Sequence, residues 1–362
     1  MILAGTAHTA RRPADGAGMV RRGQVVTAVA AVLSPLVFAL GAPYFPGGGS
    51  ARVDRPAITD KRPLRSGYAP SPRGVKLWAS PDGSPVKALK RTTNAAQAAA
   101  LRKIAAQPQG IWLTEWMTPA MATSYVRRWT SGARTAGAVP VFVVYGIPAR
   151  DCGGYSAGGL AGPAAYRAWI DGIAAGIGDA RALVVLEPDA LALMDCLSPQ
   201  LQKDRTAMLS YAVDTLGRNG SVSVYLDAGH SRWHSAVVMA PRLRAAGVLR
   251  ARGFALNVSA FDPTGPEIAY GKQIGVQLGN PVPFVVDTSR NGRGRGDGPM
   301  GWCNPPGRAL GSRPTTTYAD PLVDALLWVK IPGESDGGCN GGPPAGRWWQ
   351  DYAVGLASRA AW

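Results

Sequence analysis

Seven short apolar runs in this chain end in polar residues, and carboxylates dominate those ends. The stretch "LVVLEPD" passes from Leu183–Leu186 straight into Glu187, Pro188 and Asp189. Tyr145 and Asp151 follow "VPVFVV", Asp227 and His230 follow "SVSVYL", and Asn257 lies in "FALNVS". Asp287 and Arg290 follow "PFVV", and Lys330, Glu334 and Asp336 follow "ALLWV". A single Asp at such a position more often caps a helix than reacts. Several acids brought to one rim raise one another's pKa by like-charge repulsion, which a proton-donating carboxyl needs at neutral pH. Metal binding is the competing use of clustered acids. Here the acids have Trp and Lys neighbours rather than further acids, so neither a metal nor another cofactor is expected. Trp112, Trp233 and Trp302 follow or interrupt these motifs. An indole beside polar donors suits a sugar chain, whose pyranose offers an apolar C–H face and hydroxyl edges. Core filling is the ordinary alternative for a Trp, but Trp233 in "DAGHSRWH" has too many polar neighbours for a core.

The elements that must carry these groups are legible as alternating apolar runs and helical stretches. The runs cover 110–116, 139–145, 182–187, 221–227, 254–259, 283–287 and 325–330. Near-continuous apolar runs fit parallel strands buried on both faces. Between them, positions 166, 169, 170, 173 and 177 form one helical stripe. A second helix is expected from the Ser198-Pro199 cap to Gly217, with Leu201, Met208, Leu209, Ala212 and Leu216 facing inward. Seven βα units in about 250 residues suit a parallel barrel of TIM type, with an open doubly wound sheet as the alternative. No GxGxxG or P-loop follows a strand, which argues against nucleotide binding. In either architecture the C-terminal strand ends converge on one face, where functional groups sit.

The chain has 362 residues, 46% hydrophobic, and a net charge of +16. About +7 of that charge precedes Val75 and the rest is scattered without a Lys/Arg run, so nucleic acid is not the expected partner. Met19–Ala42 has a basic start, an apolar stretch and small residues at its end, the layout of a secretory signal. The expected organisation is therefore a signal peptide or N-terminal anchor over 1–42 and a Pro/Gly/Arg-rich linker over 43–72. A single domain follows over 73–362. A membrane association is expected only if the leader stays uncleaved. The product is expected to be secreted and monomeric. Four cysteines remain in an exported chain, which suggests disulfides; their spacing allows three connectivities, and no CxxC pair marks a zinc site.

Six stretches resemble, in order, the block motifs of glycoside hydrolase family six, the cellulases. They are "VVYGIPARDC" (143–152), "LEPDALALMDC" (186–196), "YLDAGHSRWH" (225–234), "DTSRNG" (287–292), "WCNPPGRALG" (302–311) and "WVKIPGESDG" (328–337). The resemblance runs from about Leu77 to the C-terminus. It implies a distorted seven-stranded parallel (β/α) barrel, a TIM-like variant, and inverting hydrolysis of β-1,4-glucan. It makes Asp189 the general acid and Asp151 the carboxylate that tunes it. Asp336 becomes the base that activates water, directly or through a relay of waters. Asp227, Tyr145, Trp112, His230, Trp233, Asn257, Trp302, Lys330 and Glu334 fall in the substrate-binding set, and the pairs Cys152–Cys196 and Cys303–Cys339 are implied as disulfides. An inverting enzyme holds its two carboxyls roughly 6.5–9.5 Å apart to admit a water. Three departures stand out. Gly146 replaces a frequent Asn, and Ala260-Phe261 replaces a frequent Asn-Tyr. The water-holding Ser is displaced by one residue, so that Ser156 is expected to act beside Ala157. The Ala260-Phe261 change is expected to remove polar groups from the cleft, and the three changes to lower activity on cellulose or shift the glucan preferred. The segments after "RDC" and "GESDG" are short, whereas tunnel enzymes need long roofing loops, so endo cleavage is expected. The alternatives are a cellobiohydrolase of the same family and a non-catalytic glucan- or envelope-binding protein on the same fold.

Overall fold

Each of the seven runs is a strand in the computed structural model, which describes residues 70–362; all of these lie in one compact unit, Arg62–Trp362. The expected leader and most of the expected linker lie outside the described residues. The elements run α1 (Ser84–Arg91), α2 (Ala95–Ala105), β1 (Ile111–Thr114), α3 (Pro119–Thr135), β2 (Val141–Tyr145), α4 (Pro163–Ile177), β3 (Ala182–Leu186) and α5 (Pro199–Gly217). They continue with β4 (Val222–Asp227), α6 (Ala236–Ala245), β5 (Gly253–Leu256), α7 (Thr264–Leu278), β6 (Phe284–Asp287), β7 (Val323–Leu327) and α8 (Gln350–Ser358). The sheet order is β1 to β7 in sequence, and every neighbouring pair is parallel. No helix among the described residues is long and apolar enough to cross a membrane.

The period of two along each strand sorts side chains into two cores. Phe142, Val144, Val184, Leu186, Val224, Leu226, Phe254 and Phe284 face the helices. Val141, Val143, Leu183, Val185, Tyr225, Ala255, Val285 and Leu327 fill the barrel interior. The helices follow local signals. Ser198 caps α5 by accepting from the Leu201 amide at 3.4 Å, and the five apolar positions expected on α4 are all buried. Leu201 corrects one expectation: it lies in the first turn of α5 and is 47% exposed, and the buried face instead includes Arg205 and Val213.

Two backbone-level contacts finish the barrel. β1 and β7 share no ladder. Instead the Gly110 amide donates to the Trp328 carbonyl at 2.8 Å, and the Trp112 indole donates to the Val329 carbonyl at 2.9 Å. That single seam makes the barrel distorted rather than regular. At the opposite end, Ser223 Oγ donates to the Pro70 carbonyl and Ser71 Oγ donates to Asp324, which also accepts from Tyr225 and Arg252. Residues 70–72, assigned by sequence to the linker, are therefore bonded to the barrel floor, and the domain starts no later than Pro70.

A Cβ on Gly110 would lie 2.5 Å from the Val329 carbonyl oxygen and 2.7 Å from Val143 Cγ2, so only glycine lets the two edges meet. Gly110→Ala is expected to destabilise the domain by about 1–3 kcal/mol through this overpacking. Denaturant unfolding should show a lower midpoint with an unchanged slope.

Candidate active site

The loops leaving the C-terminal strand ends enclose a cleft of about 930 Å³. Its wall includes Trp112, Tyr145, Asp151, Ser156, Asp189, His230, Trp233, Trp302, Lys330, Glu334 and Asp336, all expected from sequence. Trp302 and Trp233 are 44% and 36% exposed, unusual for indoles and suited to stacking on a ligand. Trp112 meets Tyr145 edge-on at 5.2 Å.

Asp189 is half-buried in this wall with a left-handed φ of 68°, and Asp151 has φ 58°. Non-glycine residues in that region are strained and persist where the surroundings hold them. Asp189 is held from below: Asp227 Oδ2 accepts from the Asp189 amide at 2.9 Å and from the Gly229 amide at 3.0 Å. Burial first, then the charges of Asp227 and Asp151, push the Asp189 carboxyl well above its usual range, against the pull of Lys330. Asp227 itself is pushed up to about 7 by burial.

Asp336 lies in the opposite electrostatic state. Arg290 Nη1 donates to its Oδ2 at 2.8 Å, the Asn304 amide donates to the same oxygen at 3.0 Å, and Lys330 Nζ stands 3.4 Å from Oδ1. Burial alone would raise this carboxyl, but Arg290 and Lys330 outweigh it and hold it below the ordinary carboxylate range. The surroundings push one acid of the cleft above the ordinary carboxylate range and hold another below it, the arrangement acid catalysis exploits.

The loops themselves are tied in pairs. Cys152–Cys196 joins the residue after Asp151 to the turn that follows Asp189. Cys303–Cys339 joins the segment holding Asn304 to the loop of Asp336. Both pairs are those implied by the resemblance. Tyr155 packs on Gly337, where a Cβ would fall 2.5 Å from the tyrosine ring, so the Asp151 and Asp336 loops touch.

Among the described residues no group of three or more His, Cys, Asp or Glu side chains is placed to hold a metal. Residues 72–360 match the sequence profile described as Glycosyl hydrolases family 6. The chain belongs to that family. It is 45% identical over 294 residues to Endoglucanase A of Cellulomonas fimi, covering 81% of this chain and 61% of that protein. It is 44% identical over 259 residues to Endoglucanase 1 of Streptomyces sp. (strain KSM-9), covering 70% of each. The endoglucanase Cel6 from Mycobacterium tuberculosis, solved with methyl-cellobiosyl-4-deoxy-4-thio-β-D-cellobioside, superposes with a TM-score of 0.77 at 48% identity, covering 80% of this chain and 99% of that one.

Two residues of the expected substrate set do not reach the cleft of this family 6 chain. Asn257 is fully buried; its side-chain amide donates to the Asp262 and Asp287 carbonyls and its oxygen accepts from the Asp262 amide. It shapes the β5 loop from inside. Asp227, 2% exposed, lies behind Asp189, whose amide it accepts from, and is not part of the cleft wall. Of the departures from the family pattern, Gly146 points at α4, where a Cβ would fall 2.8 Å from the Trp169 ring, and its amide donates to Glu187. It is a packing change and not a change of cleft polarity. Phe261 is buried with the Arg290 guanidinium 4.2 Å from its ring centre, so only Ala260 of that pair lines the cleft. Ser156 and Ala157 both line it.

Sequence reading passed over the arginines that hold the loops. Arg150 is bidentate with Glu115 at 2.6 and 2.9 Å and donates to the Tyr145 and Ser156 carbonyls. Buried Arg205 donates to the carbonyls of Pro148, Ala149 and Ala190, spanning the loops of Asp151 and Asp189. Arg150 sits beside Asp151 in "ARDC", the only signal that marked it.

Glu187, beside Asp189, is a structural group. It accepts from the Gly146 and Ile147 amides, and burial pushes its carboxyl up to about 7. A folded-state pKa raised above the unfolded value gives a contribution fully present below the unfolded pKa and lost as pH rises through about 7. Glu187→Gln cannot ionise. Its melting temperature is therefore expected to fall less than that of the wild type between mildly acidic and mildly alkaline pH.

Proposed function

We propose that this family 6 chain is an endo-β-1,4-glucanase that inverts the anomeric centre, with Asp189 as general acid. The observation that carries the reading is the Asp189 carboxyl in the cleft wall, its backbone gripped by Asp227 and its pKa pushed well above the usual range, in the same cleft as Asp336, which two cations hold below it. A glucan laid against Trp112, Trp233 and Trp302 would present one glycosidic oxygen to Asp189, which donates its proton as the bond breaks. A carboxyl in this role contributes about 10²–10⁴-fold.

Asp336 carries its charge next to the reacting sugar, but two cations and an amide already hold it, so its affinity for a proton is low. Its part is to stabilise positive charge developing at the anomeric carbon and to orient water. Asp151 is the better terminus for that water's proton, reached through a relay along the wall of Tyr145 and Ser156. Its Oδ2 accepts from the Ser156 amide at 2.6 Å, while Oδ1 receives no hydrogen bond from a described residue.

Endo action is supported by the short loops after Asp151 and Asp336 and by the endoglucanases among the relatives. The Mycobacterium tuberculosis endoglucanase was solved with a cellobioside thio-analogue, which supports a β-1,4-linked glucan as the substrate here. The disulfides support the reading of an exported protein.

Asp189→Asn should lose hydrolysis of soluble β-glucan by at least about 100-fold while binding is retained. Persisting activity would remove the reading. Asp151→Asn removes a charge that raises Asp189, so the alkaline limb of kcat/KM should move to lower pH. In carboxymethylcellulose, viscosity should fall well before reducing ends accumulate; release of cellobiose alone would contradict endo cleavage.

A further inference from the structure

One side of the cleft carries two cations that the hydrolytic mechanism does not use. Arg295 is half-buried in the wall near His230, and its side chain makes no hydrogen bond or ion pair with a described residue. Its backbone is not loose. Arg308 Nη1 donates to three successive carbonyls, those of Arg293, Gly294 and Arg295, at 3.0, 3.2 and 2.8 Å. The side chain is therefore presented from a fixed loop into the cleft. Arg232 lines the same region; its Nε stands 3.7 Å from Asp262 Oδ1, too far for a hydrogen bond, and its side chain is 66% exposed. The anions facing this corner lie on the side of Arg232 and His230. Asp262 stands 3.1 Å from His230 and 3.7 Å from Arg232, and buried Glu267 accepts from the Ser231 amide. His230 is held neutral, its pKa lowered first by burial and further by Arg295 and Arg232 against the pull of Asp262. Trp233 lies in the same wall, its ring 5.5 Å from that of His230.

Arg295 has no counter-charge among the described residues and Arg232 has only a long contact with Asp262, and a neutral glucan supplies hydroxyls alone. We propose that the β4 side of this cleft accepts a β-glucan bearing anionic substituents, with Arg295 and Arg232 pairing a carboxylate or sulfate on a sugar stacked at Trp233. Guanidinium forks match planar carboxylates well. The chain from Val75 onward carries +9 of the +16 net charge, which attracts an acidic polymer over distance. The inference rests on the glucanase reading above and names the class of chain that reading leaves open.

The test compares kcat/KM on carboxymethylcellulose, cellulose sulfate and neutral hydroxyethylcellulose for the wild type, Arg295→Gln, Arg295→Lys and the Arg232→Gln/Arg295→Gln double variant. The readout is the ratio of anionic to neutral substrate, so a general loss of folding cancels. That ratio should fall about fivefold in Arg295→Gln and further in the double variant, with Arg295→Lys, which keeps the charge and loses the fork, falling between the wild type and Arg295→Gln. Added salt should compress the wild-type ratio towards that of the variants. A fall on both anionic polymers supports recognition of any anion, and a fall on carboxymethylcellulose alone supports a carboxylate site. A ratio unchanged within about twofold, or insensitive to salt, overturns the inference while activity on the neutral polymer leaves the glucanase reading standing. A wild type inert on all three polymers overturns both.

Discussion

Asp189, the proposed acid, is pushed above the ordinary carboxylate range only while it stays buried beside Asp227 and Asp151, and that requirement constrains the rest of this structure. Water around Asp189 would lower its pKa, and charges farther away would not raise it. The fold has to bury Asp189 and bring Asp227 and Asp151 close to it. A parallel barrel does this through its topology. β2, β3 and β4 are adjacent and parallel, so the loops that leave them emerge side by side. Asp227 then grips the backbone of Asp189 and supplies the nearest repelling charge with the same side chain.

Like charges held together would spread apart if their loops were free. Buried guanidiniums and disulfides prevent this. Arg205 takes the carbonyls of Pro148, Ala149 and Ala190, Arg242 takes that of Leu191 and pairs with Asp195, and Arg150 takes those of Tyr145 and Ser156. Irregular loops leave carbonyls that no ladder satisfies, and arginine, with five donors and a charge that survives burial, can serve several at once. Part of the chain's excess positive charge is thus internal. Arg290 is fully buried, sets the ionisation of Asp336 and donates to the Ser259 carbonyl.

The strands and most of the cleft were legible because their signals are local. A strand buried on both faces reads as an apolar run, and the polar residue after it marks the rim, as with Leu183–Leu186 and Asp189. Ser198-Pro199 located the start of α5 for the same reason. What remained hidden depends on direction and distant partners. Asn257 and Asp189 look alike in sequence, each a polar residue after a strand with positive φ, yet Asn257 turns inward to two carbonyls. Gly146 looked like a change in the cleft because it follows Tyr145, but alternation along the strand sends its position towards Trp169. Arg205 sits on a helix stripe where a charge reads as exposed; its partners lie more than ten residues away in sequence. Leu201 failed for a related reason, because its place in the first turn of α5 lies outside the face that packs on the barrel.

Infrared difference spectroscopy of carboxyl-labelled wild type against Asp189→Asn measures the protonation of this one group directly. A protonated-acid band that belongs to Asp189 and survives at neutral pH is the predicted result. A carboxylate band for Asp189 already in mildly acidic solution, in folded protein, would contradict the account.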